Sequence, residues 1–338
     1  MELQTIWFFL WGLLWAVFFI TDGFDFGVGA LSPFLAKTEN EKRVILNSLG
    51  PLWDGNEVWL ITAGGVTFAA FPLVYAVMFS SLYTALMLIL FCLIIRGVSF
   101  EFRHQVENQG WKKIWDTCFF LGSALPAILF GVAFANIFKG LPIDGDGVLQ
   151  GNLLTLLNPY GLLGGVFFLV LFLEHGALWL CIRADNALKE RAIATAGKLW
   201  PVELAVSVIF LVATAFATPL YNNYLEHPVL FLILAVTVLG LVGIRLFLAR
   251  AAYFKAWFAS ALTIMGATFF GVVGLFPNMF PSSLSPDYSL TAYNASSSPL
   301  TLKIILTVVL IFIPLVIGYQ IWAYTLFKDK VNDQELTY

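Results

Sequence analysis

Apolar windows long enough to cross a bilayer recur nine times along the chain, separated by charged or Pro/Gly/Ser-rich breaks. They predict helices over residues 6–34, 52–72, 76–99, 115–138, 159–183, 199–220, 228–250, 256–277 and 301–327, each near the ~20 residues that hydrocarbon roughly 30 Å thick demands. The break at Phe71-Pro72-Leu73 divides what would otherwise be one implausibly long apolar stretch from 56 to 99, at a residue suited to ending a helix.

Charge placement tests this count independently. With the amino terminus outside, all of the 18 lysines and arginines except Lys139 and Lys303 fall in inner segments or at inner helix ends. The positive-inside rule then favours nine crossings with the carboxyl terminus in the cytoplasm. Removing the break at Pro72 would carry every later loop to the other side and erase the bias.

Composition agrees. The chain has 338 residues, 60% hydrophobic and 12% charged, with a mean hydropathy of +0.86, more apolar material than one soluble core can absorb. The expected class is an all-α polytopic membrane protein, residues 1–338 forming a single integral membrane domain surrounded by lipid. The first window starts Met1-Glu2 without a basic n-region and continues past Asp25, so it reads as a span and not as a cleaved signal. A net charge of −3 gives no footprint for nucleic acid. Cys92, Cys118 and Cys181 are odd in number and contain no CxxC, which argues against a disulfide framework or a thiolate metal site.

Six acids within these windows are singled out, and ionisable groups at membrane depth are functional by default because hydrocarbon penalises charge. Asp22 lies 16 residues into an inward-running helix, roughly 24 Å at 1.5 Å per residue, with Asp25 about a turn deeper. Asp54 and Glu57 are i and i+3 at the inner start of the second helix, whose amino terminus favours anions. Glu174 is 15 residues along the fifth helix, and Glu203 falls in the first turn of the sixth, after Pro201. All six are placed in the cytoplasmic half. Each also has a plainer reading: Asp54 and Glu203 as first-turn acids near the headgroups, Asp22 and Asp25 as partners of Arg96 within a bundle packed through Gly23, Gly27 and Gly29, Glu174 as an interhelical pair.

Histidine limits the chemistry. His104 and His227 belong to loops, leaving His175 alone inside a span, where it reads first as a packing residue. One buried histidine cannot make a bis-histidine haem site. No Walker loop, nucleotide fingerprint or zinc spacing is present. Trp53 and Trp59 bracket the acidic turn of the second helix and stand out among eleven tryptophans, although packing alone would explain either.

Four strings carry a family resemblance: Thr21-Asp22-Gly23-Phe24-Asp25-Phe26-Gly27-Val28-Gly29, Trp53-Asp54-Gly55-Asn56-Glu57-Val58-Trp59-Leu60-Ile61-Thr62-Ala63-Gly64-Gly65, Arg96-Gly97-Val98-Ser99-Phe100-Glu101-Phe102-Arg103, and Tyr293-Asn294-Ala295-Ser296-Ser297-Ser298 with Thr301-Leu302. In these the chain resembles subunit II of the cytochrome bd family of quinol oxidases, from the first helix to the last. The resemblance implies two four-helix bundles plus one peripheral helix. It also implies a heterodimer with a larger subunit I that carries b- and d-type haems and the quinol site, with small accessory subunits as further partners. Such a complex sits in a bacterial or archaeal cell membrane, oxidises quinol, reduces dioxygen to water with cytoplasmic protons and generates proton-motive force. Carried over by motif, Asp54 belongs to a proton entry route with Glu57, Asp22 and Asp25 nearby, and Trp59 lies beside an apolar oxygen path. A structural quinone occurs in some members, and no motif here marks a place for one. Glu174, His175, Glu203 and Trp53 receive no defined role.

The cyanide-insensitive branch of the same family fits these strings too. A proton- or cation-coupled transporter would share midplane acids and glycine-rich helices, but inverted repeats are expected there, and Trp200-Pro201-Val202-Glu203 only faintly echoes Pro51-Leu52-Trp53-Asp54. A scaffold without a proton role would not need buried acids.

Overall fold

The computed structural model describes residues 2–331. The first crossing is a pair, α1 (Leu3–Thr21) and α2 (Gly23–Leu35), with Asp22 between them. Asp22 keeps right-handed helical geometry and its N–H still bonds the Phe18 carbonyl at 2.8 Å. The two helices therefore run on as one apolar element, Leu3–Leu35.

The inner segment that follows is not a loop. Thr38 and Glu41 form a capping box that starts α3 (Glu39–Leu49), an amphipathic helix outside the predicted set. Next come α4 (Trp53–Ala70), α5 (Pro72–Ser81) and α6 (Tyr83–Phe102). Pro72 does end one helix, and it also begins another, because proline fits the first helical turn. The predicted window 76–99 is thus realised as α6, with the ten-residue α5 standing apart beyond Leu82.

The remaining elements are α7 (Gln109–Lys139), the single turn α8 (Leu153–Leu156), α9 (Pro159–Arg183), α10 (Asn186–Ala217), the short α11 (Tyr221–Glu226), α12 (Phe231–Ala249), α13 (Tyr253–Leu275) and α14 (Pro299–Leu326). The largest departure from expectation is α10, which starts thirteen residues before position 199 and carries Pro201 in its interior. Neighbouring helices and local adjustment make such a proline tolerable at membrane depth. Glu203 is consequently mid-helix and 1% exposed, not a first-turn acid at the headgroups.

Among the described residues, eight elements are long and apolar enough to cross a bilayer. The ninth crossing is α4, less apolar because its start carries Asp54, Asn56 and Glu57. At its far end the Ala70 and Ala69 carbonyls accept hydrogen bonds from Ser297 N–H and Oγ at 2.8 and 2.7 Å. Ser298 caps α14 one residue on, and the Leu302 carbonyl takes the Trp7 indole N–H at 3.0 Å. The Tyr293–Leu302 string thereby ties the outer ends of α1, α4 and α14 together.

Two four-helix groups result. One joins α1–α2, α4, α6 and α7, the other α9, α10, α12 and α13, and they meet where α9 packs on α2 and α7 and α13 on α1. Helix approach at that seam is close. A Cβ on Gly27 would stand 1.7 Å from the Phe172 carbonyl oxygen, so only glycine lets these backbones touch. Aromatic rings fill the centre, with Trp15 edge-on to Phe130 and Phe19 edge-on to both Phe134 and Phe168. Helix α14 lies at the periphery and is exposed along nearly its whole length. The outer loops clasp each other: Leu141 N–H bonds the Pro281 carbonyl at 3.0 Å, beside the ribbon of β1 (Asn278–Phe280) and β2 (Leu290–Thr291).

Candidate functional site

Arg96 is the centre of the site. It lies in the inner half of α6, wholly buried, and its Nη2 stands 2.7 Å from Asp22 Oδ1 and 2.5 Å from Glu57 Oε1. The guanidinium carbon also sits 4.4 Å from the Phe26 ring centroid. A guanidinium keeps its charge in proteins, so one fixed cation is shared between two acids from different segments. The pairing of Asp22 with Arg96 anticipated as its plainer reading is therefore present.

Asp25, three residues on, lies beside Asp22 and also has a partner of its own. Its Oδ2 accepts a hydrogen bond from Asn56 Nδ2 at 2.8 Å. Asn56 Oδ1 accepts in turn from the Tyr324 hydroxyl at 2.7 Å and from Gln320 Nε2 at 3.4 Å. Gln320 Oε1 then receives the Trp59 indole N–H at 2.8 Å. A polar chain thus runs from the peripheral α14 through α4 to a buried carboxyl on α2. Asp22 Oδ2, Asp25 Oδ1, and Arg96 Nε and Nη1 bond to no other group among the described residues, so the cluster retains hydrogen-bonding capacity.

Asp54 stands apart. It is exposed in the first turn of α4 and makes no side-chain cap bond, unlike a helix-start acid spent on capping. Glu57, one turn on, is intermediate, its side chain 22% exposed toward this end and tied to Arg96 at the other. Trp53 is a packing residue in this chain: it stacks on Phe100 at 5.2 Å and 5°, against Gly97.

The second group of candidates forms a separate place. Glu174 on α9 and Glu203 on α10 are both buried, on helices that pack together, and none of their four carboxyl oxygens finds a partner among the described residues. His175 is fully engaged: Nε2 lies 3.1 Å from the Ile20 carbonyl and Nδ1 3.0 Å from Ser260 Oγ. The carbonyl can only accept, so in the neutral ring Nε2 carries the hydrogen and Nδ1 accepts from the serine. Trp257 stacks over the ring at 5.0 Å.

These residues do not fit an axial haem ligand, since both imidazole nitrogens of His175 are spent and a face is covered, while His104 and His227 are exposed loop residues. Among the described residues no three His, Cys, Asp or Glu side chains gather as a metal group.

Two further features frame the cluster. At the same end of the bundle, Arg103 at the end of α6 bonds Glu39 on α3 at 2.8 Å and Asp116 on α7 at 2.6 Å, and its hydrogen bond holds the Glu39 carboxyl below the ordinary value. Toward the outer half lies an apolar cavity of about 570 Å³ lined by Trp11, Trp15, Leu60, Gly64, Phe68 and Phe134. Trp59 is not in its lining; it is 3% exposed and turned to α14.

Asn56, Gln320, Tyr324 and Ser260 complete these networks and were not among the sequence candidates. A polar Gln-x-x-x-Tyr within the otherwise apolar last span, spaced one turn apart, was the available signal.

Comparison with known proteins gives a consistent result. The sequence pattern of the family described as cytochrome bd terminal oxidase subunit II matches residues 3–327. The chain is 36% identical over 338 residues to cytochrome bd ubiquinol oxidase subunit 2 of Bacillus subtilis, covering 100% of this chain and 99% of that one. It is 35% identical over 368 residues to cytochrome bd-I ubiquinol oxidase subunit 2 of Escherichia coli K12, covering 99% and 96%. The fold is similar to a chain in the structure of bd oxidase from Geobacillus thermodenitrificans, with a TM-score of 0.80, 18% identity, and 97% and 99% of the two chains covered.

Proposed function

The chain belongs to the cytochrome bd terminal oxidase subunit II family, and from that premise we propose that it is the haem-free second subunit of a quinol-oxidising, dioxygen-reducing membrane complex, working beside a subunit I that carries the b- and d-type haems and the quinol site. Membership sets aside the transporter reading. Quinol supplies the electrons, dioxygen takes them, and four protons are consumed for each dioxygen reduced to two waters. Drawing those protons from the cytoplasm is what makes the reaction generate proton-motive force. The amino terminus is then outside and the carboxyl terminus inside, as the distribution of lysine and arginine favours.

The role we assign to this chain is proton delivery from the inner face. The observation that carries it is the gathering of acids from α1–α2 and α4 at one depth, with Asp54 exposed at the inner start of α4 and Glu57 one turn deeper. Asp54 is the entry carboxylate. Glu57 is the next acid, and Asp25, with one oxygen that takes no donor, is the further acceptor, its other oxygen held in place by Asn56, which Tyr324 orients in turn. Asp22 and Arg96 have a different task. An arginine does not give up its proton, so the Arg96–Asp22 pair sets the charge of the path and does not relay protons through itself. The path carries protons in an apolar bundle because carboxyls and hydroxyls can pass them where hydrocarbon cannot.

Dioxygen access is the second assignment. Dioxygen is an apolar solute and partitions into the apolar cavity beside α4, which Leu60 lines. Trp59, one residue along on the α14 side, fixes the helix at that point through Gln320. The same cavity has the apolar walls a structural quinone tail requires.

A reduced-minus-oxidised spectrum of the complex purified in mild detergent through this chain tests the reading. The b- and d-type haem bands co-purifying with the chain support it, and a colourless preparation of the intact complex contradicts it.

A further inference from the structure

We propose that the inner end of the groove between α2, α3 and α7 holds the phosphate headgroup of an anionic phospholipid. This site is separate from the acid cluster around Arg96 and has no part in the proton path. It is a cavity of about 580 Å³ whose lining includes Lys37, Lys42, Lys113, Asp116, Phe34 and Phe120. Three ammonium groups against one carboxylate leave two positive charges in surplus. Lys42 is spent on Asp116, at 2.7 Å. Among the described residues, neither Lys37 nor Lys113 pairs its ammonium with an acid, although the acids of this face are otherwise engaged by Arg103, Lys112 and Arg191.

The apolar half of the groove completes the match. Phe34 is 63% exposed at the end of α2 and meets Phe120 edge-on with ring centroids 6.2 Å apart. Large apolar side chains displayed at the inner end of a membrane helix, immediately beside unpaired lysines, present hydrocarbon and cation in the order in which a phospholipid presents acyl chain and phosphate. Basic pockets between transmembrane helices on the cytoplasmic side bind anionic headgroups by this arrangement. A free phosphate would satisfy the lysines and leave the aromatic pair uncovered, so the lipid is the occupant we assign. The carboxylate of Asp116 does not oppose it, because Lys42 and Arg103 both neutralise that group.

The test uses the whole oxidase complex in mild detergent, supplied with phosphatidylglycerol or phosphatidylcholine, and counts retained lipid by native mass spectrometry. Wild type is compared with Lys37→Gln/Lys113→Gln, which removes the charge but keeps a polar side chain, and with Lys37→Arg/Lys113→Arg, which keeps charge. The expected result is selective retention of phosphatidylglycerol, weakened about thirtyfold in the glutamine variant, the size two surface cations supply, and kept in the arginine variant. Equal retention of phosphatidylglycerol by wild type and the glutamine variant overturns the proposal, as does equal retention of phosphatidylcholine by wild type. Inorganic phosphate that binds with the same lysine dependence and displaces phosphatidylglycerol completely identifies a free-anion site instead and overturns the lipid assignment.

Discussion

Arg96 Nη2 and Asp22 Oδ1 lie 2.7 Å apart in a place where neither side chain has any exposure. The pair joins α6 to the break between α1 and α2, and Glu57 adds a third helix to it at 2.5 Å. Removing Arg96 strands both Asp22 and Glu57 without a cation, a loss of about 3–5 kcal/mol, whereas removing Asp22 leaves Arg96 with Glu57 alone and costs less. Arg96→Gln should lower assembly and the thermal midpoint of the purified complex sharply, and Asp22→Asn by less. The double variant should cost clearly less than the two single changes added together, because it leaves no unpaired partner within the pair. Strict additivity in thermal unfolding followed by haem absorbance would mean that the contact is not energetically real.

The inner-face clasp has a pH signature. Glu39 accepts from both terminal nitrogens of Arg103, at 2.8 and 3.0 Å, and its carboxyl is held below the ordinary value of 4.5 by that hydrogen bond. A depressed folded pKa gives stability that is complete above about pH 4.5 and is lost as pH falls through the folded value. With its side chain 40% exposed, Glu39 contributes less than about 1 kcal/mol. Glu39→Gln should therefore have a slightly lower midpoint at pH 7, and the gap from wild type should close on acidification. A gap that stays constant from pH 7 to pH 3.5 contradicts the assignment.

Trp59 holds Gln320 through its indole N–H and packs where α4 meets α14. Trp59→Ala removes both the bond and the bulk that hold α4 against α14, one residue from Leu60 in the cavity wall. The apparent KM for dioxygen should change by about threefold, an effect of roughly 0.6 kcal/mol, while the KM for quinol stays the same. Steady-state oxygen consumption at varied dioxygen and fixed saturating quinol measures this. An unchanged oxygen dependence in a fully assembled complex would reduce the indole to packing.

Much of the architecture could be read before any coordinates. The nine crossings follow from where apolar runs stop and where lysine and arginine collect, since both respond to the bilayer and not to details of packing. What could not be read depends on contacts between distant segments. Glu203 was placed at a helix start because Pro201 resembles one, whereas neighbouring helices let α10 continue through that proline. The helix α3 is too short and polar to stand out as an apolar window, and its signal is the Thr38-x-x-Glu41 capping box. Asp22 and Asp25 share a helical face by spacing and do lie side by side, but which partner each takes, Arg96 for one and Asn56 for the other, is set by α6 and α4 packing against that face. Asn56, Gln320 and Tyr324 are neutral, so charge patterning did not flag them, and only the fold brings α14 back onto α4.

The account rests most heavily on Asp54 as the point where protons enter. Asp54→Asn keeps shape and comparable compatibility with a helix start, and the carboxylate it replaces caps nothing and pairs with nothing among the described residues. The direct measurement is steady-state quinol oxidation normalised to haem content, together with proton uptake by the complex in proteoliposomes. The account predicts normal assembly and haem content with turnover and uptake both down about tenfold, equivalent to roughly 1.4 kcal/mol added to the barrier. Wild-type turnover and wild-type uptake in a fully assembled Asp54→Asn complex would contradict it.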